Sequence, residues 1–186
     1  MDRDERLVYW DSCCFTHFIE NDPGKADLLE SLLLSSGNGG FQIVTSALSI
    51  AEVAFVASER GQLNDVVVDQ IEALWADTLA VRIAEFHEGI ARATRDLLRE
   101  CASRGWTGLR SADAIHLTTA KLLGATEIHT YDSKWLRYAE IVAIPIGEPT
   151  TLQANRVTRP PERRVLDAPL AESDVSEPPT GSRPEP

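Results

Sequence analysis

Five short apolar runs, at residues 7–10, 41–45, 79–83, 128–131 and 141–144, punctuate the first part of the chain. Several are apolar without alternation, the pattern of strands buried on both faces of a parallel sheet. Between them the segments 26–34, 50–58, 66–75, 85–102 and 112–123 carry helical spacing. In the second of these Ile50, Val53, Ala54 and Ala57 recur one turn apart, and in the fourth Ile90, Ala93, Leu97 and Cys101 do the same. The fifth is apolar almost all round (Ala112, Ala114, Ile115, Leu117, Ala120, Leu122, Leu123), which predicts a largely buried helix. Strands alternating with helices predict an α/β domain, a three-layer sandwich around a central parallel sheet. Ligands of such sheets bind beyond the carboxyl ends of the strands.

The composition changes near Gly147. Eight of the ten prolines lie at or beyond Pro149, among few large apolar residues. Such a stretch cannot offset its ordering entropy, so the reading is a folded domain over 1–148 and a disordered proline-rich tail over 149–186. The tail carries five Arg against six Asp or Glu, so nearly all of the net charge of −11 belongs to the domain. That excludes broad nonspecific binding of nucleic acid through a basic surface, though not a nucleic-acid enzyme whose own carboxylates count toward the total. No apolar run reaches the ~18 residues of a membrane span, and the charged start lacks the apolar stretch of a signal peptide; cytoplasmic residence without membrane association is the expectation. Three cysteines, Cys13, Cys14 and Cys101, give neither a disulfide framework nor zinc spacing, and read as small buried side chains.

Four carboxylates sit where an apolar run ends or a helix begins: Asp11 in Tyr9-Trp-Asp-Ser, Glu52 in Ser49-Ile-Ala-Glu, Asp113 in Ser111-Ala-Asp-Ala-Ile-His, and Asp132 in Thr130-Tyr-Asp-Ser. Each has a plain structural explanation. Asp11 and Asp132 are suited to helix N-caps, Ser49-x-x-Glu52 to a capping box, and Asp113 to the positive end of a helix dipole. Taken together they predict something else. A carboxylate on a buried helix costs several kcal/mol unless paired or bound to metal, and four acids gathered at one sheet edge are stable only around a cation. Oxygen-only ligands suit Mg²⁺ or Mn²⁺. His116 follows Asp113 by one helical turn, as a substrate or water contact or simply a hydrogen-bonded neighbour of the site. Arg110, Lys134 and Arg137 flank the last two acids, as cations for a phosphate backbone or as solvated surface charge.

The ordered set resembles the PIN-domain nucleases, especially the VapC-type toxins. Asp-Ser after the first strand, Ser49-Ile-Ala-Glu-Val, Ser111-Ala-Asp-Ala-Ile-His-Leu-Thr-Thr-Ala and Thr130-Tyr-Asp are similar to that family's successive acidic motifs, and the likeness runs from residue 7 to about 146. The resemblance implies an endoribonuclease using one or two Mg²⁺ or Mn²⁺ ions, held by Asp11, Glu52, Asp113 and Asp132. Ser12, Thr130 and His116 would orient those acids. It further implies the toxin of a type II toxin–antitoxin pair, with a cognate antitoxin as partner, and a homodimer. Two other readings stay open. A metal-dependent phosphatase on a similar sheet is disfavoured because Cys13 stands where a second acid is expected and no P-loop is present. A catalytically silent PIN-like binding module is disfavoured by retention of all four acids.

Overall fold

The computed structural model describes residues 6–37, 40–61 and 64–150. Five strands, β1 (Arg6–Trp10), β2 (Phe41–Ser46), β3 (Val81–Ala84), β4 (Glu127–His129) and β5 (Ile146–Gly147), form one parallel sheet in the order β3-β2-β1-β4-β5. Side chains alternate across it. Val8, Trp10, Ile43 and Val81 face one layer, built from α1 (Ser12–Ile19), α2 (Ala26–Ser35), α3 (Leu48–Glu59) and α4 (Asp65–Ala76). Tyr9, Val44 and Ile128 face the other, built from α5 (Glu88–Ser103), α6 (Ser111–Leu123), a 3-10 segment (Ser133–Tyr138) and the single turn α7 (Ala139–Val142). The result is the three-layer α/β sandwich that the alternation of runs predicts. Among the described residues no helix is long and apolar enough to cross a membrane.

The chain leaves β1 for β2 and β3 on one side, then returns to place β4 on the other. The strand order therefore reverses between β1 and β4, and in a parallel sheet the crevice above that switch point is where ligands bind. Asp11 immediately follows β1 and Thr130 immediately follows β4. The Asp11 amide donates to the His129 carbonyl at 3.2 Å, closing the crevice floor.

Three expectations shift. The run 141–144 is not a strand: its Ile141 and Val142 are buried on α7, Ala143 turns through a positive φ of 58°, and the last strand comes later, at β5. A two-residue apolar pair buries equally well on either element, so periodicity could not decide. The run 79–83 begins too early, because the Asp77 carboxylate accepts from the amides of Leu79 and Ala80 and holds a turn before β3. Helix α1 was not foreseen, although Cys14 and Phe15 on it are fully buried. The tail from residue 151 onward, and with it the disorder expected there, lies outside the described residues; Pro149 is buried.

Candidate active site

Asp11 is the N-cap of α1. Its Oδ1 accepts from the amide of Cys13 at 3.0 Å and that of Cys14 at 3.4 Å, and its Oδ2 accepts from the Thr130 hydroxyl at 2.5 Å. Only 4% exposed, it has its pKa pushed well above 3.8 by burial first and by the neighbouring Cys13 sulfur second, with the Thr130 hydrogen bond pulling the other way. Thr130 in turn accepts from the Asp132 amide at 2.9 Å, so one hydroxyl ties the Asp11 carboxylate to the backbone of Asp132. Asp132 caps the 3-10 segment, its Oδ1 accepting from the Lys134 amide at 2.9 Å.

Asp113 projects from the first turn of α6, half-buried. Burial raises its pKa, and the charge of Asp132 adds to the rise against the Arg110 amide and His116. Among the described residues no lysine or arginine forms an ion pair with Asp11, Asp113 or Asp132. A buried Asp11 beside half-buried Asp113 and Asp132, which repel each other, is a donor set suited to a hard divalent ion.

Glu52 departs from its expected local role. α3 begins at Leu48, whose amide donates to the Ser46 hydroxyl at 3.2 Å, so Ser49 lies inside the first turn and no capping box forms. Ser49 is hydrogen-bonded to Thr45 at 2.7 Å instead. Freed from the cap, Glu52 reaches across the crevice, where its Oε2 meets His116 Nε2 at 2.7 Å and its carboxylate also bonds Ser12. Burial alone would raise its pKa, but His116 and Ser12 bring it below 4.5. His116, 1% exposed, is held at its other nitrogen by the Tyr9 hydroxyl, 2.7 Å from Nδ1. The imidazole bonds Glu52 and lies within electrostatic range of Asp11 and Asp113. The fold therefore brings all four acids, Ser12, Thr130 and His116 to one edge. It does not draw three of the acids within 4.8 Å of one another; among the described residues, the group that meets that spacing is Asp11, Cys13 and Cys14.

The flanking cations divide. Arg110, at the α6 N-cap, and Lys134 are exposed beside Asp113 and Asp132. Arg137 is committed elsewhere: it donates to the Thr107 carbonyl at 2.9 Å and lies over the Tyr138 ring at 4.9 Å. Two residues escaped the sequence reading. Cys13 is not an inert buried thiol, since its sulfur accepts from the Tyr131 amide at 3.1 Å. A hydrogen bond with Cys14 leads the lowering of its pKa from 9.0 to about 6, against burial. Tyr9 was read only as part of a strand; its place two residues before Asp11 was the available signal.

A sequence model of the PIN domain matches residues 8–141. The chain belongs to the PIN domain family. Solved structures carry the same fold at low identity. VapBC2 from Rickettsia felis, bound to a DNA fragment from its promoter, aligns with a TM-score of 0.55 at 15% identity, covering 75% of this chain and 96% of that one. FitAcB from Neisseria gonorrhoeae gives 0.54 at 16% identity, covering 76% and 97%. DNA-bound VapBC from Salmonella typhimurium gives 0.54 at 16%, covering 78% and 99%. Comparison with curated protein sequences finds no match. The acids of this PIN domain lie on the edge that its topology designates for ligands. An apolar cleft of about 770 Å³ lined by Phe18, Leu33, Leu74 and Leu79 lies at the opposite edge, where β2 and β3 begin, and holds none of them.

Proposed function

We propose that this PIN domain is a metal-dependent endoribonuclease, using Mg²⁺ or Mn²⁺ and acting as the toxin of a type II toxin–antitoxin pair. The observation that carries the reading is the crevice between β1 and β4. Asp11 and Asp113 enter it with pKa values raised by burial and, among the described residues, with no lysine or arginine ion-paired to them. Asp11, Asp113, Glu52 and Asp132 would hold one or two ions, which when bound supply a lowered pKa for water and charge stabilisation at phosphorus. The chain's own groups do the positioning. Thr130 fixes the Asp11 carboxylate and the backbone before Asp132, and His116 with Ser12 fixes Glu52. Arg110 and Lys134, exposed beside Asp113 and Asp132, would meet phosphates of single-stranded RNA, whereas Arg137 would first have to leave Tyr138. With a net charge of −11, the molecule would rely on those local cations and on the ions themselves for affinity.

The likeness to VapBC and FitAB assemblies supports a protein antitoxin as partner. Exposed Phe55 on α3 and Val66 on α4 supply apolar surface for a second copy or that partner.

The test is cleavage of end-labelled single-stranded RNA by purified protein. Activity should vanish in EDTA, return with Mg²⁺ or Mn²⁺, and be absent from an Asp11→Asn preparation made in parallel. Cleavage that survives chelation, or that persists in Asp11→Asn, would defeat the proposal. Tight Mn²⁺ binding without cleavage of any RNA would favour a silent binding module.

A further inference from the structure

Beneath the acids runs a buried polar chain that the metal-ligand reading alone does not require. Tyr9 is fully buried on β1 and His116 is 1% exposed on α6, yet both carry polar atoms in the core of the second layer. The Tyr9 hydroxyl lies 2.7 Å from His116 Nδ1, and His116 Nε2 lies 2.7 Å from Glu52 Oε2. The Tyr9 and His116 rings meet edge to face at 6.0 Å, and Trp135 closes the other side of the imidazole at 6.0 Å. The imidazole is therefore enclosed between two aromatic rings, and among the described residues each of its nitrogens has one hydrogen-bond partner.

The direction of these bonds follows from what each atom can donate. A phenol oxygen has one hydrogen to give. The Glu52 carboxylate facing Nε2 takes a hydrogen and has none to give, so a neutral imidazole leaves Nδ1 as the acceptor of the phenol hydrogen. An Nδ1 that accepts leaves the ring hydrogen on Nε2, facing a carboxylate that can only accept.

We infer that Tyr9 is a positioning residue of the site: by donating to Nδ1 it fixes His116 with its hydrogen on Nε2, and so pins Glu52 in the rotamer that crosses the crevice beside Ser12. This rests on the reading of Glu52 as a metal ligand. A tyrosine inside the sheet thereby sets the aim of an acid on a different element, α3, through a side chain on a third, α6. Outer partners of this kind typically change metal affinity or activity by about 10–100-fold.

Tyr9→Phe removes the hydroxyl and keeps the ring. In the metal-free parent, ¹⁵N-correlated imidazole spectra should place the His116 hydrogen on Nε2; in Tyr9→Phe that single tautomer should give way to a mixture. The Mn²⁺ dissociation constant, measured by titration calorimetry, should rise about 10-fold or more. Turnover on RNA should fall by a similar factor while KM for RNA stays within about twofold. His116→Gln, whose amide can still donate to Glu52, should retain more Mn²⁺ affinity than His116→Ala. Trp10→Phe is the matched control, since it removes a buried side-chain hydrogen bond on the opposite face of the same strand, 3.2 Å to His129. It should lose stability without loss of Mn²⁺ affinity.

The inference is overturned if the parent carries the hydrogen on Nδ1, if Tyr9→Phe binds Mn²⁺ as the parent does, or if Trp10→Phe weakens Mn²⁺ equally. A parent that neither binds Mn²⁺ nor cleaves RNA overturns the nuclease reading instead, and the metal-free tautomer then decides the Tyr9 link by itself.

Discussion

Thr130 joins two of the acids through a single hydroxyl, donating to Asp11 Oδ2 and accepting from the Asp132 amide. Thr130→Val keeps the shape and strands both partners, so urea denaturation should register a loss of about 1–3 kcal/mol, with Thr130→Ser close to the parent. The acids themselves divide by sign. Burial and the charge of Asp132 disfavour ionised Asp113, so Asp113→Asn should raise the melting temperature in EDTA while abolishing cleavage. Glu52 is the reverse case: despite burial, His116 and Ser12 favour its charge, and Glu52→Gln should lower stability by about 1–2 kcal/mol. Opposite shifts from two isosteric neutralisations would separate a carboxylate left unsatisfied in the metal-free fold from one that His116 and Ser12 already hold in place for the ion. A fall for both would return Asp113 to the helix-dipole role that its position on α6 also permits.

The connections between elements carry their own constraints. Gly37, between α2 and β2, has φ of 75°, and a Cβ there would stand 2.8 Å from the Leu79 carbonyl oxygen. Gly37→Ala should cost about 2 kcal/mol in denaturation and leave Mn²⁺ affinity untouched, because it lies at the far edge of the sheet. Long periodic elements were readable in advance: α5 and α6 announce themselves by apolar spacing, and β1 and β2 by unbroken apolar runs. Short ones were not. α1 follows β1 after one residue, so its Asp-Ser start reads as the end of a strand, and its buried Cys14 and Phe15 extend the apolar run. Ser49 and Glu52 have the spacing of a capping box, and only the earlier start of α3 at Leu48 shows why it does not form. Asp11, Asp113 and Asp132 were legible because each stands at an element boundary. The partnership of Tyr9 with His116 was not, since pairing across layers leaves no periodic trace in either segment.

The assembled domain should respond to pH in a way fixed by its raised carboxyls. A carboxyl whose pKa is higher in the fold than in the unfolded chain stays protonated while the unfolded chain ionises, so stability falls as pH rises through that interval. Asp11 and Asp113 both act this way. Glu52 acts oppositely, but its interval ends at its ordinary value of 4.5. Cys13, lowered to about 6, adds stability only above that pH. Between about pH 4.5 and 6 the chain in EDTA should therefore lose stability with rising pH, and the double variant Asp11→Asn, Asp113→Asn should not. Saturating Mn²⁺ at about 100 times its dissociation constant should restore roughly 2.7 kcal/mol to the parent at neutral pH. A chain ended at Thr150, one residue past the buried Pro149, should fold and cleave as the full chain does. One further consequence follows from the adjacency of β1 and β4. The Asp11 amide and the His129 carbonyl come from opposite ends of the domain, and the loop between them must be closed before the crevice exists. Such a contact forms late, because its entropic cost precedes its reward. During synthesis Asp11, Glu52 and Asp113 leave the ribosome before the strand that aligns them, so an interrupted product ending before Ile128 carries three of the acids and no working crevice. On refolding, cleavage should lag behind the recovery of helical signal. If the proposed activity holds, the order in which its own strands arrive keeps the nascent chain from cleaving the RNA-rich machinery that makes it.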